Sequence, residues 1–123
     1  MINRKRLGAW GEEQAAVYLT GRGYQLLEQN VRTPHGEIDI VCNHADRLIF
    51  VEVKTRSSTS FGYPEEAITK QKKAHMLAAA QYYFQCHPEI SGDWQIDVLA
   101  IESVHRQEHP RITHFENVLT EPW

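Results

Sequence analysis

The run Gly36-Glu37-Ile38-Asp39-Ile40-Val41, followed after a short polar break by Phe50-Val51-Glu52-Val53-Lys54, constrains this chain more than any other feature. Both runs alternate apolar and charged residues at period two over β-branched side chains, so each is a strand with its charges on one face. His44-Ala45-Asp46-Arg47 between them reads as a hairpin turn. With Ala45 and Asp46 at the tip, His44 pairs with Arg47. Antiparallel register then sets Asp39 opposite Glu52 and Glu37 opposite Lys54, all four on one face. Directly opposed side chains have Cβ atoms ~5 Å apart, and like charges so placed destabilise a sheet. A hard divalent cation held by carboxylate oxygens compensates them, and it accounts for acids where valine or threonine would fold better. Lys54 beside them then positions a nucleophilic water or neutralises charge that develops in a transition state. The simpler alternative is a hairpin with a solvated outer face, Lys54 pairing an acid across the strand. The stretch from Leu48 to Val53 is too apolar for an exposed hairpin and favours the functional alternative.

The rest of the chain predicts a scaffold for that hairpin. Leu7, Trp10, Gln14, Ala15, Tyr18 and Leu19 recur at helical spacing, and Gly21-Arg22-Gly23 ends the helix. Tyr24 to Asn30 reads as a first strand, pairing with Gly36 to Asn43 across a loop that contains Pro34. The polar stretch Ser57 to Pro64 follows Lys54 directly, where it would serve as a substrate clamp. From Pro64 to Cys86 the residues Ile68, Met76, Ala79, Ala80 and Tyr83 mark a long second helix, with a break near Thr69. Trp94 to Ile101 is a further strand, with Asp97 among apolar neighbours as a salt-bridge partner of the helix. Ile112 to Phe115 is a short edge strand. Tyr82-Tyr83-Phe84 offers either core or a base-stacking surface, and core is the commoner fate of aromatics near a helix end. His105 and His109 have helical ligand spacing, but Pro110 follows at once, which argues against a zinc site.

A chain of 123 residues with 41% hydrophobic content is expected to form a single domain, residues 1–123, around one core. The basic start Met1 to Arg6 runs into an amphipathic helix, so no signal peptide is expected. No stretch of ~18 apolar residues suits a membrane span. Cys42 and Cys86 are far apart in sequence and form no ligand spacing, which fits reduced thiols and a cytoplasmic protein. A Gly-rich phosphate loop and a nucleophile elbow are both absent, which excludes the commonest nucleotide-hydrolysing motors and serine hydrolases.

The net charge of −3 is unevenly distributed: up to Pro88 there are 11 Lys/Arg against 9 Asp/Glu, and from Glu89 onward 2 against 7. Several of the early acids belong to the candidate metal site, so the remaining surface there is basic. Candidate phosphate contacts are Arg4, Lys5, Arg6, Arg32, Arg56, Lys70, Lys72 and Lys73. For the three lysines a solvated helix face is the alternative.

Asp39, Glu52 and Lys54 resemble the core of the PD-(D/E)xK nuclease superfamily, whose fold is that of restriction endonucleases and archaeal Holliday junction resolvases. Gly8-Ala-Trp-Gly11-Glu12, Gly23-Tyr24, Asn30-Val-Arg32, Gly36-Glu37-Ile38-Asp39, Phe50-Val-Glu52-Val-Lys54-Thr-Arg56 and Phe61-Gly62 occur in the order of the bacterial YraN family. That resemblance spans nearly the whole chain. It implies a restriction endonuclease-like α/β domain, a central mixed β-sheet flanked by helices. It also implies Asp39 and Glu52 as metal ligands with the Val53 carbonyl as a third, Lys54 as the catalytic lysine, and Glu12 as a helical glutamate brought toward the metal. Ile38 stands where the superfamily name has proline, a variant that keeps the carboxylates in place. Glu13 competes with Glu12 for that role, and a first-turn acid favoured by the helix dipole is the alternative for either.

The function expected on these grounds is metal-dependent hydrolysis of phosphodiester bonds, with Mg²⁺ or Mn²⁺ preferred to zinc by a carboxylate pair. Resemblance to resolvases points to DNA, branched DNA in particular, and a symmetric junction calls for a homodimer. Two other classes stay open on the residues alone. One is a nucleic-acid-binding accessory whose chemistry has lapsed, against which the intact Asp39, Glu52 and Lys54 count. The other is an interaction module that docks a partner through its acidic C-terminal part, ending Leu119-Thr-Glu-Pro-Trp123.

Overall fold

The hairpin turn at Ala45-Asp46 anchors the architecture. Both residues take positive φ, 52° and 62°, the type I′ geometry whose twist matches the flanking strands. Around it the computed structural model describes residues 4–57, 63–104 and 109–119. In chain order these form α1 (Arg4–Gly21), β1 (Gln25–Thr33), β2 (Gly36–His44), β3 (Arg47–Ser57), a 3₁₀ turn (Pro64–Ala67), α2 (Lys70–Cys86), β4 (Trp94–Ser103) and β5 (Arg111–Phe115). The five strands make one sheet in the order β1-β2-β3-β4-β5. β1, β2 and β3 are antiparallel, β3 and β4 run parallel through the α2 crossover, and β5 returns antiparallel. A mixed five-stranded sheet flanked by two helices is an α/β fold consistent with a restriction endonuclease-like domain.

Each face of the sheet buries its own core. On one side Ala79, Ala80 and Tyr83 of α2 pack with Val41, Phe50, Ile96, Val98 and Ala100. On the other, Ala15 and Leu19 of α1 pack with Ile40, Cys42, Ile49, Val51, Leu99 and Ile101. Each fully buried Leu or Ile contributes about 1.5–3 kcal/mol. The central strands are therefore near-continuous apolar runs, as strands covered on both faces require. Tyr83 and Phe84 belong to this core: Phe50 meets both edge-on, at centroid distances of 5.4 and 5.5 Å.

Local signals explain the element ends. Gly23, at φ 88°, closes α1: the Tyr24 N–H donates to the Leu19 carbonyl at 3.0 Å and the Gly23 N–H to the Thr20 carbonyl at 3.1 Å. Those two bonds are the Schellman motif, and Tyr24 and Leu19 share its apolar contact. The break near Thr69 is real. Pro64 starts a separate 3₁₀ turn, and the Thr69 hydroxyl caps α2 by accepting from the Lys72 N–H at 3.0 Å. The first strand is longer than expected, reaching Thr33, because Thr33 pairs with Gly36 and the connection shrinks to Pro34-His35. The Thr33 hydroxyl stabilises that turn, donating to the Gly36 carbonyl at 2.6 Å and accepting from the His35 N–H at 3.1 Å.

Asp97 is fully buried on β4. Its Oδ1 accepts from Gln95 Nε2 and the Asn117 N–H, both at 2.9 Å, and its Oδ2 lies 2.8 Å from His114 Nε2. His114 Nδ1 lies 3.2 Å from the Tyr18 hydroxyl. The salt bridge expected between Asp97 and the second helix is not formed: the partner is His114 of β5, which passes the link on to Tyr18 of α1. Cys42 is buried and Cys86 exposed, neither in a disulfide. Among the described residues no helix is long and apolar enough to cross a membrane. Most of the Ser57 to Pro64 clamp, with Phe61-Gly62, lies outside the described residues, as do the Arg4 side chain, His105 and the ending from Thr120 to Trp123.

α1 crosses β3 at Gly11, where a Cβ would lie 1.9 Å from Thr55 Oγ1 and 2.8 Å from its Cγ2. Thr55 is β-branched and stiff, so the neighbour cannot simply swing away. Gly11→Ala is expected to destabilise the chain by about 1–3 kcal/mol. Gly11→Ala with Thr55→Ala should recover part of that loss in a denaturant titration. Equal stability of Gly11→Ala and wild type would contradict the close crossing.

Candidate metal centre and active site

The ladder between β2 and β3 follows the expected register from His44↔Arg47 to Ile40↔Val51 and then stops. One residue further along, the Val53 N–H donates to Asp39 Oδ2 at 2.7 Å instead of to a β2 carbonyl. Ile38 packs in the α2-side core and Ile40 in the α1-side core, so the side-chain alternation slips by one at Asp39. This is the point at which the structure departs from the simple register. Asp39 enters the gap between the two strands, and Glu52 and Lys54 alone keep the common face. That face is the α2 side, since Glu52 meets Lys72 and Lys54 lies with Ala100.

Four carboxylates converge at the opening. Oxygens of Glu12, Glu37 and Asp39 lie within 4.8 Å of one another. Glu12 arrives from α1, carried in by the close crossing at Gly11, and is half-buried, whereas its rival Glu13 is exposed. Asn30 sits in β1 with φ 56°, a left-handed conformation that asparagine tolerates better than most residues. Oriented by its hydrogen bonds, its amide nitrogen donates to Glu12 Oε1 at 2.5 Å and to Glu37 Oε1 at 3.2 Å. Glu52 Oε1 is 2.6 Å from Lys72 Nζ.

The electrostatics record the crowding. Burial pushes the Asp39 carboxyl up from 3.8 to about 7; Glu52, Glu12 and Glu37 add to that rise, and the Val53 N–H bond opposes it. Glu12 is raised too, by burial first and then by Glu37 and Glu52. A proton on Asp39 relieves the repulsion, and so would a cation. The donor set fits a hard divalent ion: Asp39 with Glu12 and Glu37 supplies the closest oxygens, and Glu52 already holds an ammonium where a cation would sit.

The remaining candidates are placed as follows. Val53 offers its N–H to Asp39, and its side chain packs on the α1-side core. Lys54 is exposed. Arg32 is exposed on β1 and paired across the ladder with Glu37. Arg56 Nη2 lies 3.4 Å from Glu102 Oε2. Lys70 is exposed at the first residue of α2, beside the Thr69 cap. Lys72 is engaged with Glu52. Sequence reasoning set Glu37 on the charged face opposite Lys54 without a ligand role, and left Asn30 out of the site; the i, i+2 spacing of Glu37 and Asp39 was the available signal for the first. A second group, Asp97, His114 and Glu116, also has ligand atoms within 4.8 Å. Both Asp97 oxygens and both His114 nitrogens are already partnered, so that group is a satisfied polar network.

Fold and site together define an α/β domain whose first helix and second and third strands deliver carboxylates to an opened ladder. Comparison with known proteins agrees on the lineage. The profile described as "Uncharacterised protein family UPF0102" matches residues 11–101. A UPF0102 protein of Syntrophomonas wolfei is 48% identical over 100 residues, covering 81% of this chain and 86% of its own. One from Dehalococcoides mccartyi is 40% identical over 119 residues, covering 97% of both chains. A third, from Syntrophotalea carbinolica, is 44% identical over 112 residues, 91% of this chain and 89% of its own. The chain belongs to the UPF0102 family, the YraN family of the motif resemblance.

The raised Asp39 carboxyl links stability to pH. The folded chain holds this proton more tightly than the unfolded one, so the stabilisation is full below the unfolded value of 3.8 and is lost as pH rises through about 7. The melting temperature is therefore expected to fall between about pH 4 and pH 7, and Asp39→Asn should flatten that slope. At pH 8, Mg²⁺ or Mn²⁺ should raise the wild-type melting temperature by several degrees and leave Asp39→Asn nearly unmoved. Identical responses in the two proteins would remove Asp39 from the cation site.

Proposed function

We propose that this chain is a metal-dependent nuclease that hydrolyses phosphodiester bonds, with DNA as the substrate and Mg²⁺ or Mn²⁺ as the cofactor. The observation that carries the proposal is the convergence of Glu12, Glu37, Asp39 and Glu52 at the end of the β2–β3 ladder, with Lys54 on the same strand as Glu52. A structural role alone does not account for four acids in mutual repulsion where the sheet would be more stable without them.

Asp39 and Glu52 would hold the ion, with Glu12, Glu37 and the Val53 carbonyl as further oxygen donors. Bound there, a divalent ion supplies Lewis-acid stabilisation of the charge that develops on a phosphodiester. The chain's own groups do the rest. Val53 fixes the Asp39 carboxylate through its N–H. Lys54 presents an ammonium to the phosphate oxygens, and Lys72, now on Glu52, can turn to the phosphate when a cation takes its place. In the reaction a water oxygen bonds to phosphorus as one phosphorus–ester oxygen bond breaks, and the departing oxygen takes up a proton. Arg32 and Lys70 extend the contact with the backbone. Branched DNA follows from the resemblance to resolvases; on a symmetric junction two copies would be needed, one site for each strand. The cytoplasm is the compartment this reading implies.

The test is cleavage of labelled four-way junction, flap, single-stranded and duplex DNA, and RNA, by purified protein with Mg²⁺ or Mn²⁺. Asp39→Asn and Glu52→Gln should each reduce cutting to background. Lys54→Ala should lower the rate by about 10²–10³-fold, the scale of a lost transition-state charge partner. Wild-type protein inactive on every substrate would favour a binding accessory over an enzyme.

A further inference from the structure

Next to the acid cluster, between β2, β3 and α2, lies a cleft of about 110 Å³. Its floor is apolar, made by Phe50, Met76, Ala79 and Ile96, and its rim carries the imidazoles of His35 and His75. Glu37 and Glu52 line the same cleft, so its wall is shared with the candidate metal centre. His35 stands edge-on to Tyr82 at a centroid distance of 6.5 Å, which steadies that side of the rim. His75 is exposed on α2.

We propose that the cleft receives one unpaired nucleobase of the strand whose phosphate lies at Asp39 and Glu52. The proposal rests on the nuclease reading and narrows its substrate to nucleic acid that is single-stranded or locally unpaired at the cut. Size is the first argument: a cleft of about 110 Å³ takes one flat ring system and not a stacked pair of strands. Charge is the second. Lys72 lines the cleft too but is held by Glu52, so the wall's uncompensated charge is that of Glu37, which repels a phosphate, whereas a base is neutral and presents an apolar face to the floor and polar edges to the rim. Imidazole is the third, since its ring stacks on any base and its nitrogens bond to base edges whatever the sequence. A paired base cannot enter without leaving its stack, and an unpaired one enters without that cost.

The test uses the full chain and oligonucleotides carrying 2-aminopurine, whose fluorescence reports loss of stacking on neighbouring bases. In EDTA and in Ca²⁺, single strands are expected to bind at least tenfold more tightly than the same sequence as duplex and to show a fluorescence change on binding. Ala79→Val, which narrows the floor, should abolish that change. His75→Ala, at an exposed position that leaves the core intact, should weaken single-strand binding severalfold. Equal affinity for single strand and duplex, or a fluorescence change untouched by both variants, would overturn the proposal. With Mn²⁺ added, an abasic residue moved along the single strand should suppress cutting at one fixed offset. Cutting indifferent to that residue would overturn the base cleft and leave hydrolysis standing. Base-dependent binding without any cutting would support the cleft and remove hydrolysis.

Discussion

The hydrogen bond from the Val53 N–H to the Asp39 carboxylate decides what the rest of this sheet can be. A β-ladder normally spends each inward N–H on a neighbouring carbonyl, leaving side chains to project above and below. Here one rung is made by a side chain, so a carboxylate lies in the plane of the sheet and the strands part beyond it. The exchange keeps a half-buried N–H satisfied, which a simple fraying of the ladder would not. It also keeps an acid from β2 within the field of both Glu52 on β3 and Glu12 on α1.

That geometry depends on how firmly α1 is seated. Near its middle the helix crosses β3 where Gly11 meets Thr55, too close for any side chain. Near its end Tyr18 is tied through His114 to the buried Asp97, and Leu19 and Tyr24 close the helix against the same core. A helix fixed at its middle and its C-terminal end places Glu12 by rigid-body geometry rather than by side-chain choice. The buried Asp97 network thus acts at a distance from the acid cluster: it holds the helix that carries one member of it. Complete satisfaction of both Asp97 oxygens is what makes a fully buried carboxylate tolerable in such a core.

Much of this was legible in the residues. Period-two alternation gave the hairpin strands, and the register that follows from an Ala45-Asp46 tip is the one observed from His44 to Ile40. Pro64 and Thr69 marked a break before α2 because each acts locally, one by lacking an N–H and the other by capping. The slip at Asp39 was not legible, since alternation assigns faces by parity and a displaced rung changes parity without changing composition. Asn30 was hidden for a related reason: its value lies in a positive φ inside a strand, which no propensity signals. Lys72 looked like a phosphate contact because sequence shows charge and not partners. Its pairing with Glu52 spans twenty positions and exists only once α2 lies on the sheet.

Charge at the opening is unevenly compensated. Among the described residues, the cluster's acids meet two distinct kinds of partner. Glu52 has a full counter-charge in Lys72, whereas Glu12 and Glu37 share the amide of Asn30, which offers donors but no charge. Asp39 has only a backbone N–H, and its carboxyl is the one driven up to about 7. Repulsion is therefore concentrated on the residue with the least compensation, at the centre of the group. Replacing it with an apolar residue would relieve the strain more completely than any neighbour in the fold does, and such uncompensated charge is characteristic of sites shaped by function rather than stability. A positive ion placed among Asp39, Glu12 and Glu37 would meet the charge that Asn30 leaves unneutralised, at the point where the β2–β3 ladder ends.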